Sequence, residues 1–472
     1  MRRGLWTLVL LYAACTKPNP DYCDADTPCA DGKYCDADGA VEGTKNACID
    51  VSCDPGAFGL CDGDSALSCL ASGDGYAPTA CSFGCGAAGC NACAASTDSC
   101  DGAELEQCDA NGQSASSEAC LAGCVADDAP HCARISPRFA PDICDTPATD
   151  AILDVSSSGS LDTGLDQNCN GGVVAQAGGP ELCVMHFGAI TIETGTTLKI
   201  TGTRAVALVA DDELVVAGTL DVSADQGTNG PGGGFVKSGD SRTNSPTIRG
   251  GGGAGFSTSG AAGGSTTTNG GGGAGGAAQP NPIALAVLMG GPQSGETQGL
   301  PGGGGGGGAT LISCRGTTRI SGTIDAGGGG GLPCIDFLGN PIPGAGGGAG
   351  GYVVLQGALV EVTGRVFANG GGGGGGCLAA DGFAGGDGPL SDSEGGYGGT
   401  GVDGGGTGGN GGFGPVQPPT VGAHPTNANA RPGGGGGSVG FLQTYTPEGV
   451  TPTLTPMHVS PPFEPNGTVT TR

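Results

Sequence analysis

Apolar positions between residues 189 and 370 come in short β-like runs set apart by glycine. The runs are AITIETGTTLKITG (189–202), VALVADDELVVAGTLDVSA (206–224), ATLISCRGTTRISGTIDAG (309–327) and YVVLQGALVEVTGRVFANG (352–370). Alternating β-branched and polar residues read as half-buried strands. The later three share one order: apolar run, short connection, second apolar run, glycine. Gly218-Thr219-Leu220-Asp221 then matches Gly322-Thr323-Ile324-Asp325, while the last copy keeps Gly364 and continues Arg365-Val366-Phe367. Recurrence of strand, glycine turn and strand predicts coils of a parallel β-solenoid, each burying its apolar face against the next. Gly218 and Gly322 are 104 residues apart and Gly322 and Gly364 only 42, so the surplus must leave the coils as long loops.

Those loops are glycine: residues 227–440 hold 78 of the chain's 105 Gly. Ordering such a segment costs about 1–2 kcal/mol of backbone entropy per residue, and glycine loses the most. With few side chains to offset that cost, two outcomes remain: disorder, or backbone-to-backbone hydrogen bonding between close-packed extended segments. Runs such as 302–308, 327–331, 370–376 and 433–437 are expected to form polyproline-II-like helices with three residues per turn. No strict G-X-Y period runs through the region, which excludes collagen. The Thr- and Pro-rich segment from Phe441 to Arg472 reads as an extended edge or a disordered end.

Upstream the rhythm is set by cysteine. Residues 16–144 carry 17 of the 23 Cys. Cys53, Cys61, Cys69, Cys81, Cys85 and Cys90 align with Cys93, Cys100, Cys108, Cys120, Cys124 and Cys132. Both copies contain a nine-residue C-D-G segment, CDGDSALSC (61–69) and CDGAELEQC (100–108), then eleven residues and a C-x3-C. These twelve residues are disulfide candidates in duplicated modules of about 40 residues, too short to fold on apolar burial alone. Each bridge is expected to contribute about 2–4 kcal/mol. Six Cys allow 15 pairings, so connectivity stays open. Cys23, Cys29, Cys35 and Cys48 form a looser module. Cys90-Asn91-Ala92-Cys93 closes one repeat and opens the next, which argues against a redox or zinc pair.

The first residues, MRRGLWTLVLLYAAC, combine Arg2 and Arg3, an apolar stretch and two small residues before Cys15. This is the pattern of a secretion signal, too short to span a bilayer. A Cys after Ala13-Ala14 resembles the lipobox of bacterial lipoproteins, although Tyr12 stands where that motif usually has Leu. Twenty-three is odd, and lipidation of Cys15 would leave an even 22 for disulfides. Thr16 after the Cys, by the same resemblance, favours the outer membrane.

Net charge is −28, and residues 16–183 account for −22 of it, with 27 Asp+Glu against 5 Lys+Arg. Phosphate neutralisation needs clustered Lys and Arg, so a nucleic-acid partner is excluded. With only 20 Phe, Tyr and Trp, a single large aromatic core is excluded as well, as are coiled coils and multi-span membrane proteins.

Few motifs carry chemistry. Residues 289–297, MGGPQSGET, approach a phosphate-binding loop, but Glu296 replaces the Lys and would repel phosphate. His131, His186, His424 and His458 lack metal-ligand spacing, and His186 in LCVMHFG reads as a packed or capping residue. Asp221 and Asp325 hold equivalent coil positions; stacked, they would lie about 4.8 Å apart, close enough to share a proton or a cation. Solvated Asp on an outer face is the favoured reading, and a polysaccharide lyase or hydrolase using the two is the alternative. Asp36-Ala37-Asp38-Gly39 and Asp62-Gly63-Asp64 offer oxygen ligands without completing a calcium loop. Leu165–Gly171, LDQNCNG, resembles a metal-binding repeat element but lacks its later acidic residues. No metal site and no cofactor are therefore assigned.

The order of lipobox, Cys-rich modules and glycine-interrupted strands such as TGTRAVALVADDELVVAGTLDVSA resembles a group of myxobacterial surface lipoproteins, with glycine regions of PE-PGRS-like composition. The resemblance implies a lipid-anchored outer-membrane protein in contact with glycans or other surface proteins. The expected organisation is a signal peptide (1–14), a lipidated segment with the small module (15–52), Cys-rich repeats (53–92 and 93–135) and a linker with the solenoid lead-in (136–188). The glycine-rich solenoid (189–440) and the C-terminal segment (441–472) follow. The expected class is mainly β, and the expected role is structural or adhesive rather than enzymatic.

Overall fold

Continuous apolar runs and alternating runs fold differently in this chain, and the difference organises its larger half. The structure is a computed structural model that describes residues 21–30, 33–36, 44–50, 53–73, 75–140, 142–241, 248–266, 270–279, 285–296, 301–337, 340–415 and 417–472. The protein is mainly β; its helical content among these residues is two three-residue 3-10 turns, Ile143–Asp145 and Asp166–Asn168. The chain divides into two compact units, one of residues 1–119 and 126–131, the other of 120–125 and 132–472.

In the first unit, short antiparallel hairpins are cross-linked by cysteine. Strands Lys33–Asp36 and Ala47–Asp50 pair, and Cys23–Cys35 and Cys29–Cys48 interlace around them. In the first repeat Phe58–Asp62, Ser65–Cys69 and Tyr76–Ala80 form a three-stranded sheet; in the second, Asp98–Asp101, Glu104–Cys108 and Ala115–Ala119 do the same. The shared C-D-G explains itself here. Gly63 (φ 55°) and Gly102 (φ 64°) open the two-residue loops between Asp62 and Ser65 and between Asp101 and Glu104, where left-handed backbone favours glycine. Ala66 and Leu105 occupy the same position of the two copies, and both are buried.

Bridges that the sequence left open now have partners. Cys53–Cys69, Cys61–Cys85 and Cys81–Cys90 close the first repeat. Cys93–Cys108 repeats the first of these, and Cys120–Cys132, in the second unit, repeats the third. Cys100 and Cys124 are also disulfide-bonded.

The second unit contains a mixed sheet of 13 strands and a parallel sheet of six. Leu182–Ile192, Ala205–Ala210, Gly308–Ser313, Tyr352–Gln356 and Phe441–Pro447 stack in parallel with in-register partners: Met185, Leu208, Leu311, Leu355 and Thr444 form one column. Ile192, Val216, Ile320, Val362 and Leu454 form a second. Leu198, Leu220, Ile324, Val366 and Val459 form a third, in the six-stranded sheet. These columns face one another across a core of Leu, Ile and Val, each fully buried side chain contributing about 1.5–3 kcal/mol.

The stack from Leu182 to Pro447 is covered on its other face too, by Ile135, Phe139, Phe256, Leu288 and Met289. Burial on both sides is why AVALVA and YVVLQ read as unbroken apolar runs, whereas TLKIT, covered on one side, alternates. Gly218, Gly322 and Gly364 form a column at the corner of successive strand sets. A Cβ on Gly322 would meet the Gly218 carbonyl, and one on Gly364 the Gly322 carbonyl. The Cys144–Cys314 bridge ties the segment before the sheet to the stack.

Two segments contribute more strand than their composition suggested. Asp150–Val155 pairs with Leu182–Ile192, and Gly159–Asp162 with Thr197–Thr201, inside the stretch read as a linker. Beyond residue 440, Phe441–Pro447, Thr453–Leu454 and His458–Ser460 extend all three columns, and Gly467–Thr471 pairs with Phe441–Pro447. The polar residues that disguised FLQTYTP are buried with partners: Gln443 Nε2 donates to Pro465 O, and Thr444 Oγ1 to Asn466 Oδ1.

The glycine segments leave these strands and bond to one another. Residues 370–376 show the rule. Gly370, Gly373 and Gly376 donate to Gly412, Gly409 and Gly406; Gly371 and Gly374 to Gly348 and Ala345; Gly372 and Gly375 to Gly386 and Phe383. Their carbonyls accept with the same step of three, from Gly396, Gly399 and Val402, from Gly437 and Gly434, and from Gly331 and Cys334. One segment is thus bonded to six neighbours, at donor–acceptor distances of 2.7–3.0 Å. A net backbone hydrogen bond contributes about 0.5–1.5 kcal/mol, no more than the entropy of fixing one residue. The array is therefore marginal alone and depends on anchorage to the strands and on the Cys334–Cys377 bridge.

This packing admits no Cβ. One on Gly373 would run into the Gly434 carbonyl, and one on Gly376 into that of Arg431, closer than real Cβ contacts come. Gly373→Ala is expected to destabilise the protein by about 1–3 kcal/mol or more. Gly159→Ala, where an added Cβ meets nothing within 4 Å, is expected to be close to neutral. Urea or thermal unfolding of the two variants checks the contrast.

Candidate functional site

The strand register places Asp221 and Asp325 side by side, as direct partners in the parallel sheet. Lys199, one strand earlier, partners Asp221, and Phe367, one strand later, partners Asp325. Each set thus presents one residue at this position, and the row reads Lys, Asp, Asp, Phe.

The two carboxylates differ in setting. Asp221 accepts from Lys199 Nζ at 2.9 Å, and its other oxygen takes the Ser223 N–H at 3.0 Å and the Ser223 hydroxyl at 2.6 Å. Burial works against the Lys199 ammonium, but Asp221, Asp225 and Asp325 outweigh it and hold its pKa above the ordinary value. Asp325 is partly buried and, among the described residues, receives only the Gly327 N–H, at 2.9 Å. Burial pushes its carboxyl up to about 7; that N–H opposes the rise, and the Asp221 charge adds to it. Nearby Asp387 Oδ1 accepts the N–H groups of Gln226 at 2.9 Å and Gly330 at 2.7 Å, tying two glycine segments together. Chemically, the pair sets a carboxyl raised to about 7 beside a carboxylate that is engaged by Lys199 and Ser223.

His186 does pack, but against a charge: its Nε2 lies 3.0 Å from Asp211 Oδ1, and both residues are buried. Burial raises the Asp211 pKa, yet the hydrogen bonds from His186 and the Ala148 N–H and the charge of Arg134 prevail and lower it. With Arg134 Nη1 also donating to Cys144 O, the cluster fastens residues 134–148 onto the stack. His131, His424 and His458 stand apart from it; His458 Nδ1 pairs with Asp392 at 2.7 Å.

Sequence elements with metal-like spacing serve structural ends. Asn170 brackets His186, accepting its N–H at 2.7 Å and donating to its carbonyl at 2.8 Å. Asp166 pairs with Arg204 at 2.7 Å, and Cys169 is bridged to Cys183. Asp62-Gly63-Asp64 forms a hairpin loop; Asp36 ends a strand, and residues 37–39 lie outside the described residues. Two groups among the described residues bring three potential ligand atoms together, Cys23/Cys29/Cys48 and His186/Asp211/Cys314, and each includes cysteines already in bridges. The phosphate-loop-like stretch joins the glycine array through Gly290 and Gly291, and Glu296 pairs with Lys237. Cys15 lies outside the described residues.

A second surface had escaped the sequence reading. Residues 395–403 and 404–412 lie on the outside of the array and expose every third residue: Tyr397, Thr400 and Asp403 on one, Thr407 and Asn410 on the other. The intervening residues, mostly glycine, turn toward neighbouring segments. The signal was present as X-G-G spacing in YGGTGVD and TGGNGGF, a local period of three that the irregular whole concealed.

No protein-family model matches the chain, and no curated protein or solved structure shows significant similarity to it.

The raised Asp325 pKa has a stability consequence. Between the ordinary carboxylate range and about 7 the folded state holds a proton that the unfolded state has lost, so this contribution declines as pH rises toward and past 7. Asp325→Asn removes it. The variant's melting temperature is expected to gain on the wild type in going from pH 5 to pH 8, measured by circular dichroism at both pH values.

Proposed function

We propose that this is an exported, lipid-anchored surface protein with a structural or adhesive role. In this reading the second unit is a parallel β-solenoid, and its long insertions form a bundle of polyglycine-type helices with three residues per turn. The carrying observation is the hydrogen bonding at every third residue around 370–376, which fixes the glycine segments against one another and leaves every third side chain of the outer ones exposed. Rigidity with a regular, outward-facing surface suits contact with another surface.

Cysteine chemistry supports the export part. All 22 cysteines among the described residues are disulfide-bonded, which fits an oxidising compartment, and Cys15 is the one left for an acyl chain. Attachment to the outer membrane through that lipid completes the proposal.

A second reading, a polysaccharide lyase or hydrolase, is favoured by one observation: the Asp325 carboxyl, raised to about 7, stands directly beside Asp221 in the sheet. Against it, Asp325 packs against Gly327, whose N–H it accepts, and Asp221 is engaged by Lys199 and Ser223. Incubation of the oxidised chain with plant, fungal and bacterial polysaccharides is expected to release no new reducing ends or unsaturated products. Cleavage abolished by Asp221→Asn or Asp325→Asn would replace the structural reading with the enzymatic one. Intact mass of the mature protein checks the anchor: a chain beginning at Cys15 with added acyl mass is expected, and an unmodified cysteine contradicts it.

A further inference from the structure

Four outer segments of the glycine array lie side by side in fixed register. Phe383 N–H donates to Thr400 O and Gly386 N–H to Tyr397 O; Gly408 and Gly411 donate to Gly399 and Gly396; Thr420 and Ala423 donate to Asn410 and Thr407. Phe383, Thr400, Thr407 and Ala423 therefore share one level along the segments, and Gly386, Tyr397, Asn410 and Thr420 the next. Three residues separate the levels, about 9 Å in a three-residue-per-turn helix.

Two aromatic rings stand on this face, Phe383 at 62% and Tyr397 at 66% exposure. A Cβ at Gly386 would lie 3.0 Å from Tyr397 Cδ2, so the Tyr397 ring lies beside that glycine. Phe383 is one turn along from Gly386, on the same side of its segment. Thr400, Thr407 and Asn410, on the same two levels of the neighbouring segments, are exposed as well. Asn410 Oδ1 takes the Gly398 N–H at 2.8 Å and Thr420 Oγ1 takes the Asn410 N–H at 2.7 Å, so the polar side chains are held in place.

Charge selects the partner. Between Arg365 and Arg431 the chain has no Lys or Arg and five carboxylates, Asp381, Asp387, Asp392, Glu394 and Asp403. A stretch of this charge disfavours nucleic acid, anionic lipid and uronate- or sulfate-bearing glycans. We infer that it binds a neutral, extended β-linked polysaccharide, the faces of its sugar rings resting on Phe383 and Tyr397 and its hydroxyls meeting Thr400, Thr407 and Asn410. Sugar rings carry C–H groups on their faces and hydroxyls at their rims, which matches aromatic surface bordered by hydroxyl and amide groups. The spacing between the two levels is close to the length of two β-linked pyranose units. Rigid backbone bonding means the face is formed before the ligand arrives, which lowers the cost of binding.

This inference rests on the adhesive reading and gives it a ligand. The test is co-sedimentation of the full-length oxidised protein with microcrystalline cellulose and with chitin, in low salt and in 1 M NaCl. Phe383→Ala, Tyr397→Ala and the double variant are compared with Phe235→Ala, a half-exposed ring elsewhere in the second unit. Binding to at least one of the two glycans that persists in high salt, weakened at least about tenfold in the double variant and unchanged in Phe235→Ala, is the expected result. Three outcomes overturn it: no retention on either glycan, retention abolished by salt, or retention that the double variant keeps. In each case the structural reading survives, because that reading is tested separately, by polysaccharide cleavage and by the mass of the mature chain.

Discussion

Close approach of one backbone to another, with no Cβ between them, is the constraint on which the larger unit depends. At Gly322 and Gly364 it sets the corner of each strand set; in 370–376 it lets a single segment bond to six others. These bonds are individually modest and are opposed by the entropy of the most flexible residue. They hold because the glycine stretches are inserted between, and so tethered to, strands that bury Leu, Ile and Val in register. Hydrophobic columns and glycine array are therefore one cooperative object: the columns supply the free energy, and the array spreads rigidity away from them.

Charge and covalent chemistry are distributed around that object. The first unit has little apolar surface and relies on bridges, with pairing conserved between its repeats where both copies can be compared, as at Cys53–Cys69 and Cys93–Cys108. In the second unit, bridges sit where the array or the lead-in segment needs tethering: Cys144–Cys314, Cys169–Cys183 and Cys334–Cys377. Asp387 and Asp211 extend the same logic without sulfur: Asp387 collects the N–H groups of Gln226 and Gly330, and Asp211 the Ala148 N–H together with the side chains of His186 and Arg134.

Much of this was legible before any coordinates. The glycine column and the Asp221–Asp325 partnership follow from aligned strand sets, because parallel in-register stacking converts sequence equivalence into contact. Disulfide pairing did not follow, since it depends on which hairpin folds over which. The strand set after Phe441 was hidden because Gln443, Thr444 and Thr446 break the apolar run, and their burial is permitted only by partners supplied from Val450, Pro465 and Asn466. The outer face around Tyr397 was missed for another reason: a period of three is invisible when composition already fills most positions with glycine, and it emerges only where the exposed third residue is something else.

The central claim is that the glycine segments are ordered by their mutual hydrogen bonds, and amide hydrogen exchange measures it directly. Protection at residues 327–331, 370–376 and 433–437 approaching that of the buried strand Ala205–Ala210 is predicted, with the middle segment, bonded on all sides, among the slowest. Exchange across these runs at the rate of an unstructured chain, while Ala205–Ala210 remains protected, would contradict it.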